Sequence, residues 1–184
     1  IAEKVRLLRN HGIKERDKVI SFGFVSRMDN VQAAILNIRL KKLKGVINKR
    51  RANARLYFRE LGKLKNIKLP YENKNYFHTY HTFVIQAENR NELKKHLGQK
   101  GISTKIHYPY LIFEQEAYKK RFTNINYKKF PVSRELNKKI LTLPINQYMT
   151  VKEIKKICIE IKNFYKDWFF NGRFIEDMSC QKNR

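Results

Sequence analysis

Apolar residues recur at helical spacing in two parts of the first third of the chain. In residues 2–10, Val5 and Leu8 precede "NHG", and Gly12 is well placed to end a helix. A second helix is predicted to begin near Ser26 to Asn30. It has two apolar faces, one formed by Val31, Ile35 and Ile38 and the other by Leu36, Leu40, Leu43 and Ile47. Because both faces are apolar, we expect this helix to be buried between two bodies.

From Lys49 the long helix is predicted to have only one apolar face. A solvated basic stripe is formed by Arg51, Arg55 and Arg59, and the buried face by Leu56, Leu61 and Leu64. We therefore interpret the run "NKRRANAR" as the polar face of this helix rather than as a nucleic-acid site.

After Pro70 the pattern indicates short strands and helices in turn. "YFHTYHTFVIQA" predicts a strand of about 8 to 10 residues. "NRNELKKHLGQKG" predicts a helix ended by Gly101, and "ISTKIHY" predicts a strand. "FEQEAYKKRF" and "PVSRELNKKI" predict two short helices. "ILTLPI" then predicts a third strand, and "TVKEIKKICIEIKNFYKDW" a final helix capped by Thr150. Helices on one face of a small sheet make a two-layer α/β domain. From about Asn171 the periodicity ends, and we expect the chain to fray.

Composition changes this picture little. Lys and Arg total 41 against 16 Asp and Glu, a formal charge of +25, but the lysines are dispersed among asparagines and isoleucines. These three residues share AT-rich codons, so mutational bias accounts for the charge without a nucleic-acid surface, which would favour clustered arginines and aromatics. The two cysteines, Cys158 and Cys180, suggest no disulfide framework, as suits the cytoplasm. No apolar run is long enough to span a membrane, and the start resembles the middle of a longer protein.

Three polar groups at the ends of predicted elements are candidate site residues, since general catalytic and metal motifs are missing from the sequence. Ser26 and Arg27 precede the long helix, whose N-terminus suits an anion; alternatively, Arg27 pairs with Asp29. In "FHTYHTF", His78, Tyr80 and His81 are more often packed or surface residues than catalysts. His107 and Tyr108 end a predicted strand before a proline, where side chains enter a cleft or simply leave the sheet.

Six segments, taken in their order along the chain, resemble the C-terminal half of the DegT/DnrJ/StrS family of sugar aminotransferases. They are "RLLRNHG", "GFVSRMDNVQAAIL", "KRRANARLYFREL", "YHTFVI", "KGISTKIHYP" and "FPVSRELNKKILTLPI". The resemblance covers residues 2 to about 165. It implies the C-terminal part of a type I aminotransferase fold, dependent on pyridoxal 5'-phosphate (PLP). Residues 1–25 would be the tail of the large PLP-binding domain, 26–65 a long bridging helix, 66–168 a small α/β domain with a short sheet, and 169–184 a flexible tail.

The resemblance also assigns roles to individual residues. The lysine that carries PLP lies upstream of the matched segment in the family, so no catalytic residue is assigned here and the chain alone is expected to be inactive. The family loop G-x-N-S-R matches Gly23 to Arg27; its asparagine contacts the cofactor phosphate, but the chain has Val25 there. Ser26 or a backbone N–H would replace that contact. Arg27, His107 and Tyr108 would contact the nucleotide-sugar substrate.

The function implied is transfer of an amino group from glutamate or glutamine to a nucleotide-linked keto sugar, in amino-sugar and surface-polysaccharide biosynthesis. The resemblance implies a homodimer with sites shared between subunits, and neither a metal nor a membrane is implied. Two alternatives stay open. One is a non-catalytic or regulatory relative, which the Val25 departure favours, and the other is a basic nucleic-acid-binding domain.

Overall fold

The computed structural model describes residues 1–16, 18–122 and 129–180, with side chains described through residue 168. The chain divides into two compact units, Ile1–Lys44 and Gly45–Arg184. The helices are α1 (Ala2–Leu8), α2 (Asn30–Leu61), α3 (Arg90–Gln99), α4 (Glu116–Arg121), α5 (Pro131–Lys139) and α6 (Val151–Cys180). The strands are β1 (Ile13–Glu15), β2 (Lys18–Val19), β3 (Ile67–Lys68), β4 (Phe83–Ala87) and β5 (Ile140–Leu143). A 3-10 helix covers Ile112–Glu114.

The first unit contains a small hairpin that the sequence pattern did not predict. Strands β1 and β2 pair antiparallel, with Ile13 opposite Val19. Gly12 enters the hairpin with φ of +73°, and a Cβ there would lie 1.8 Å from the carbonyl oxygen of Ser21. Only glycine fits this position, which lies four residues after the last residue of α1.

Helix α2 begins at Asn30, four residues after the first position of the expected 26–65 helix, and ends at Leu61. The apolar residues of its first half are between 46% and 71% exposed in this chain; they are Val31, Ile35, Leu36, Ile38, Leu40 and Leu43. The expected burial between two bodies is therefore not provided by the residues that the structure describes. These side chains form an apolar surface without a cover, which we call the α2 apolar surface.

The second unit is built on a three-stranded antiparallel sheet in the order β3-β4-β5. Phe83, Ile85 and Ala87 of β4 alternate toward the core, as do Leu141 and Leu143 of β5. They pack with buried side chains of α2, α3 and α6, including Tyr57, Leu61, Leu93, Leu97, Ile154 and Ile161. This two-layer arrangement confirms the predicted α/β fold class.

The last helix begins with a reciprocal cap. The Thr150 hydroxyl accepts a hydrogen bond from the Glu153 N–H at 3.2 Å, and the Thr150 N–H donates to the Glu153 carboxylate at 2.7 Å. This capping box confirms Thr150 as the predicted cap. Helix α6 continues to Cys180 rather than ending near Asn171, and residues 181–184 of the expected tail lie outside the described residues.

Two predicted strands are shorter than expected. Residues 76–82 are irregular, and only Phe83–Ala87 joins the sheet, because Tyr80 has φ of +50° and the carbonyls of Tyr80 and His81 accept hydrogen bonds from Arg50 instead of from a strand. The segment "ISTKIHY" is reduced to a single bridge between Lys105 and Thr142.

The second half of α2 fastens the loops at one end of this sheet. One nitrogen of Arg50, Nη1, lies 3.1 to 3.2 Å from the carbonyl oxygens of Tyr80, His81 and Ile145. Two turns further along α2, Tyr57 donates its hydroxyl to the Pro144 carbonyl at 2.7 Å. Of the predicted solvated stripe Arg51, Arg55 and Arg59, the prediction is wrong for Arg51, which donates to Glu72 and to the His78 carbonyl.

Candidate functional site

The loop before α2 is held by its backbone against the end of α1. The Phe24 N–H donates to the Leu8 carbonyl at 2.7 Å, and the His11 N–H donates to the Phe24 carbonyl at 3.2 Å. Val25 bridges Asn10, and the Ser26 N–H donates to the Arg9 carbonyl at 3.0 Å. The course of the chain through Ser26 is thus fixed by main-chain hydrogen bonds, while its side chains remain exposed.

Ser26 and Arg27 offer the donors that an anion requires. The Ser26 hydroxyl and the Arg27 guanidinium are exposed, and neither has a hydrogen bond or ion pair with another described residue. The expected alternative, an Arg27–Asp29 ion pair, is not formed between these two described residues; Asp29 instead donates its N–H to Gln32 Oε1 at 3.2 Å. A hydroxyl and a guanidinium suit a phosphate or another anionic group.

Val25 itself cannot supply a side-chain donor, and its side chain is 66% exposed. The Ser26 N–H is not available to replace the missing asparagine, since it already donates to Arg9. The donor set of this loop therefore fits a cofactor phosphate through the Ser26 hydroxyl, with fewer contacts than the family pattern offers.

His107 and Tyr108 lie in the second unit and are held by two residues that the sequence analysis did not single out. His107 Nδ1 lies 2.9 Å from Thr142 Oγ1, and the Tyr108 carbonyl accepts a hydrogen bond from Asn137 Nδ2 at 2.8 Å. Thr142 was detectable in principle, as the polar residue within "ILTLPI", whereas Asn137 carries no signal in its helix. The peptide bond between His107 and Tyr108 is cis.

A groove of about 630 Å³ begins at Tyr108. Its walls are largely aromatic and apolar, with one guanidinium; they include Pro109, Tyr110, Ile112, Tyr118, Arg121 and Phe122. The rings of Tyr118 and Phe122 are 4.5 Å apart, and Tyr108 is 73% exposed. Flat aromatic walls beside a cation suit a ligand that combines a ring with a negative charge.

The structure thus brings His107 and Tyr108 together, with Thr142 and Asn137 behind them. Ser26 and Arg27 belong to the first unit, whereas His107 and Tyr108 belong to the second.

The "FHTYHTF" residues form part of a structural network. Tyr80 is buried and donates its hydroxyl to Glu72 Oε2 at 2.7 Å; burial and this hydrogen bond raise the pKa of Tyr80 to about 12. His78 Nδ1 accepts the Tyr80 N–H at 2.9 Å, and Arg51 donates to the His78 carbonyl. These contacts favour the packing interpretation of His78 and Tyr80 over a catalytic one.

The described part of the chain offers neither a metal site nor a membrane-spanning helix. Among the described residues, His, Cys, Asp and Glu form no group of three or more that could hold a metal ion. The helices of the described part of the chain include none with the length and apolar character needed to cross a bilayer.

Residues 1–162 match the DegT/DnrJ/EryC1/StrS aminotransferase family. The chain is 32% identical over 165 residues to dTDP-3-amino-3,6-dideoxy-alpha-D-galactopyranose transaminase of Aneurinibacillus thermoaerophilus, covering 90% of this chain and 44% of that protein. The chain therefore spans less than half the length of such relatives.

Solved structures show the same similarity. A DegT/DnrJ/EryC1/StrS aminotransferase from Brucella abortus superposes with a TM-score of 0.80 at 30% identity, covering 89% of this chain and 43% of that one. The NtdA protein of Bacillus subtilis, with the cofactor PMP bound, superposes with a TM-score of 0.81 at 27% identity, covering 90% of this chain and 39% of that one.

Proposed function

Because the chain belongs to the DegT/DnrJ/EryC1/StrS aminotransferase family, we propose that it forms the C-terminal part of a PLP-dependent sugar aminotransferase. The complete enzyme transfers an amino group from glutamate or glutamine to a keto carbon of a nucleotide-linked sugar, in the cytoplasm. The product serves amino-sugar and surface-polysaccharide biosynthesis. The observation that carries the proposal is the family match over residues 1–162, together with relatives named for nucleotide-sugar transamination.

The family depends on PLP, which supplies an electron sink for amino-group transfer when it is bound. In this chain, the exposed Ser26 hydroxyl would donate to the cofactor phosphate. Its backbone is fixed by the hydrogen bond to Arg9, which sets the position of its Cβ and leaves the hydroxyl, but not the N–H, able to donate. The remaining contacts with PLP, including the lysine that carries it, would come from the rest of the complete protein.

Arg27 and the pair His107 and Tyr108 are each proposed to contact a substrate. The Arg27 guanidinium would bind an anionic group, such as a phosphate of the nucleotide, since it is exposed and has no described partner. His107 and Tyr108 would contact the nucleotide-linked sugar. The aromatic groove beside Tyr108 has a volume and a chemistry that suit part of such a ligand.

A homodimer is proposed from the α2 apolar surface. Its six large aliphatic side chains are about half exposed or more, which is costly in water, so another body is required to cover them. We propose that the remainder of the complete protein and a second subunit provide this cover. In that arrangement, Arg27 at the start of α2 would act on the partner's site.

The test uses the complete protein that contains this chain. We expect it to retain PLP on desalting and to form an amino sugar and 2-oxoglutarate from a nucleotide-linked keto sugar and glutamate, detected by mass spectrometry. The 184-residue chain alone, as a matched control, should neither retain PLP nor turn over substrate. Absence of both PLP retention and turnover in the complete protein, across dTDP-, UDP- and GDP-linked keto sugars with either donor, would contradict the proposal. The comparisons do not favour the regulatory or nucleic-acid-binding alternatives.

A further inference from the structure

Thr142 is a buried polar residue in an apolar strand. It is 7% exposed and lies on β5 between Leu141 and Leu143, whose side chains are fully or almost fully buried in the core. Because successive side chains of a strand point to opposite faces of the sheet, the Thr142 side chain lies on the face opposite to those of Leu141 and Leu143. There its hydroxyl lies 2.9 Å from His107 Nδ1.

The backbone brings these two side chains together. The Lys105 N–H donates to the Thr142 carbonyl at 3.2 Å, and the Thr142 N–H donates to the Lys105 carbonyl at 2.7 Å. This reciprocal pair fixes the chain two residues before His107 against the strand. The backbone of Thr142 thus holds the segment that carries His107, and the Thr142 side chain contacts the His107 ring.

The direction of the hydrogen bond follows from what the hydroxyl can satisfy. The Thr142 Oγ1 contact with His107 is its single hydrogen bond to the described residues. If Nδ1 carried the proton, the hydroxyl could only accept, and its hydrogen would be buried without an acceptor, which is unfavourable. If the hydroxyl donates to Nδ1, both groups are satisfied and the ring proton lies on Nε2.

We propose that Thr142 is a positioning residue that holds neutral His107 in the tautomer with its proton on Nε2. This tautomer offers an N–H donor on the side of the ring away from the sheet, suited to an oxygen of the nucleotide-linked sugar. The tautomer is inferred from the Thr142–His107 geometry alone. The identity of the ligand rests on the proposed function.

The test compares Thr142→Val, which removes the hydroxyl at similar volume, with Thr142→Ser, which keeps it. In the ¹⁵N-histidine-labelled chain, at a pH where the imidazole is neutral, the NMR chemical shifts of the two ring nitrogens of His107 report the tautomer directly. The wild type and T142S should show an unprotonated Nδ1 and a protonated Nε2, and T142V should show a mixture. Thr104→Val is the matched control, because the buried Thr104 hydroxyl has no hydrogen-bond partner among the described residues, so T104V should leave the His107 signals unchanged.

Kinetics of the complete protein form the second part of the test. T142V should raise KM for the nucleotide sugar by about two- to tenfold, the effect of one neutral hydrogen bond, with kcat nearly unchanged, and T142S should restore KM. Ring signals that are identical in wild type and T142V would overturn the proposal. A changed tautomer with an unchanged KM would overturn the role in substrate binding. Because the ring signals do not depend on turnover, a failure of the proposed function is distinguished from a failure of this one.

Discussion

Arg51 donates a hydrogen bond to Glu72 Oε1 at 2.7 Å, so that a residue of helix α2 holds a loop that lies 21 positions further along the chain. Both side chains are mostly buried, and the guanidinium also lies 4.5 Å from the ring centre of Phe77. Glu72 in turn accepts the Tyr80 hydroxyl. The irregular segment before β4 is thus held by one network with Arg51 at its centre.

Arg51→Met should destabilise the protein by about 1–3 kcal/mol, because it removes the hydrogen bonds to Glu72 and to the His78 carbonyl together with the contact to Phe77. Arg55→Met is the matched control: Arg55 is exposed one turn further along α2 and should change stability by less than about 0.5 kcal/mol. Urea unfolding of the two variants checks the difference. Equal stabilities would show that the Arg51 network does not contribute.

Stability should depend on pH through Glu72. Hydrogen bonds from Tyr80 and Arg51 lower the pKa of Glu72 in the folded protein. A carboxyl group with a lowered folded pKa stabilises the protein above its unfolded pKa, and this contribution is lost as pH falls through the folded value. Glu72→Gln should therefore be less stable than wild type at pH 7, with the difference shrinking below about pH 4.5. Tyr80→Phe, which removes one donor to Glu72, should weaken the same dependence; a pH-independent difference would refute this account.

Cys158 should be unreactive in the native protein. Burial raises the pKa of its thiol to about 12, so little thiolate is present at pH 8 and the reagent has no access. In a Cys180→Ser background, a thiol reagent should label Cys158 at the rate of unfolding, and added urea should accelerate labelling. Fast labelling without denaturant would mean that α6 opens readily around this residue.

Thr150→Ala should cost about 1 kcal/mol of stability, because it removes the side-chain acceptor for the Glu153 N–H at the start of α6. Thr150→Ser keeps the hydroxyl and should retain most of the stability that the cap contributes. Thermal unfolding followed by circular dichroism distinguishes the two variants. Equal losses would indicate that the threonine methyl group, rather than the cap, is what matters.

Arg27→Ala in the complete protein should leave folding and PLP retention nearly unchanged and lower kcat/KM about ten- to a hundredfold. This is the effect of losing one charge-assisted contact of about 1.5–3 kcal/mol. Steady-state kinetics with the nucleotide sugar provide the measurement.

A mixed dimer tests whether Arg27 acts across the interface. One subunit carries Arg27→Ala and the other lacks the lysine that binds PLP. If Arg27 serves the partner's site, one intact site per dimer is restored and activity returns. No recovered activity would show that Arg27 acts within its own subunit.

The fold was predictable where the cause is local. Thr150 and Glu153 lie three residues apart, and Gly101, with φ of +73°, follows α3 as a helix-ending glycine should. The prediction was wrong where distant residues decide. The strand expected before Phe83 is interrupted because Arg50 takes the carbonyls of Tyr80 and His81, and no pattern in "YFHTYH" reports a partner 30 positions away.

The sequence pattern alone offered candidate site residues but assigned them no role. Arg27, His107 and Tyr108 became candidates because they lie at the ends of predicted elements, and the resemblance to a family then gave each of them an expected ligand. Thr142 and Asn137 were missed because their contacts with His107 and Tyr108 join segments about 30 residues apart. The sequence carried one signal, which was a polar residue between apolar residues of a predicted strand. Of the two residues, only Thr142 showed it.

The position of Arg50 has a mechanical consequence. A single nitrogen atom binds carbonyls from the segment that leads into β4 and from the segment that leaves β5. A rotation of this part of α2 about its axis would pull both segments at once, since neither can move without releasing the same atom. A movement of α2 at Arg50 would therefore be transmitted to both loops through one side chain.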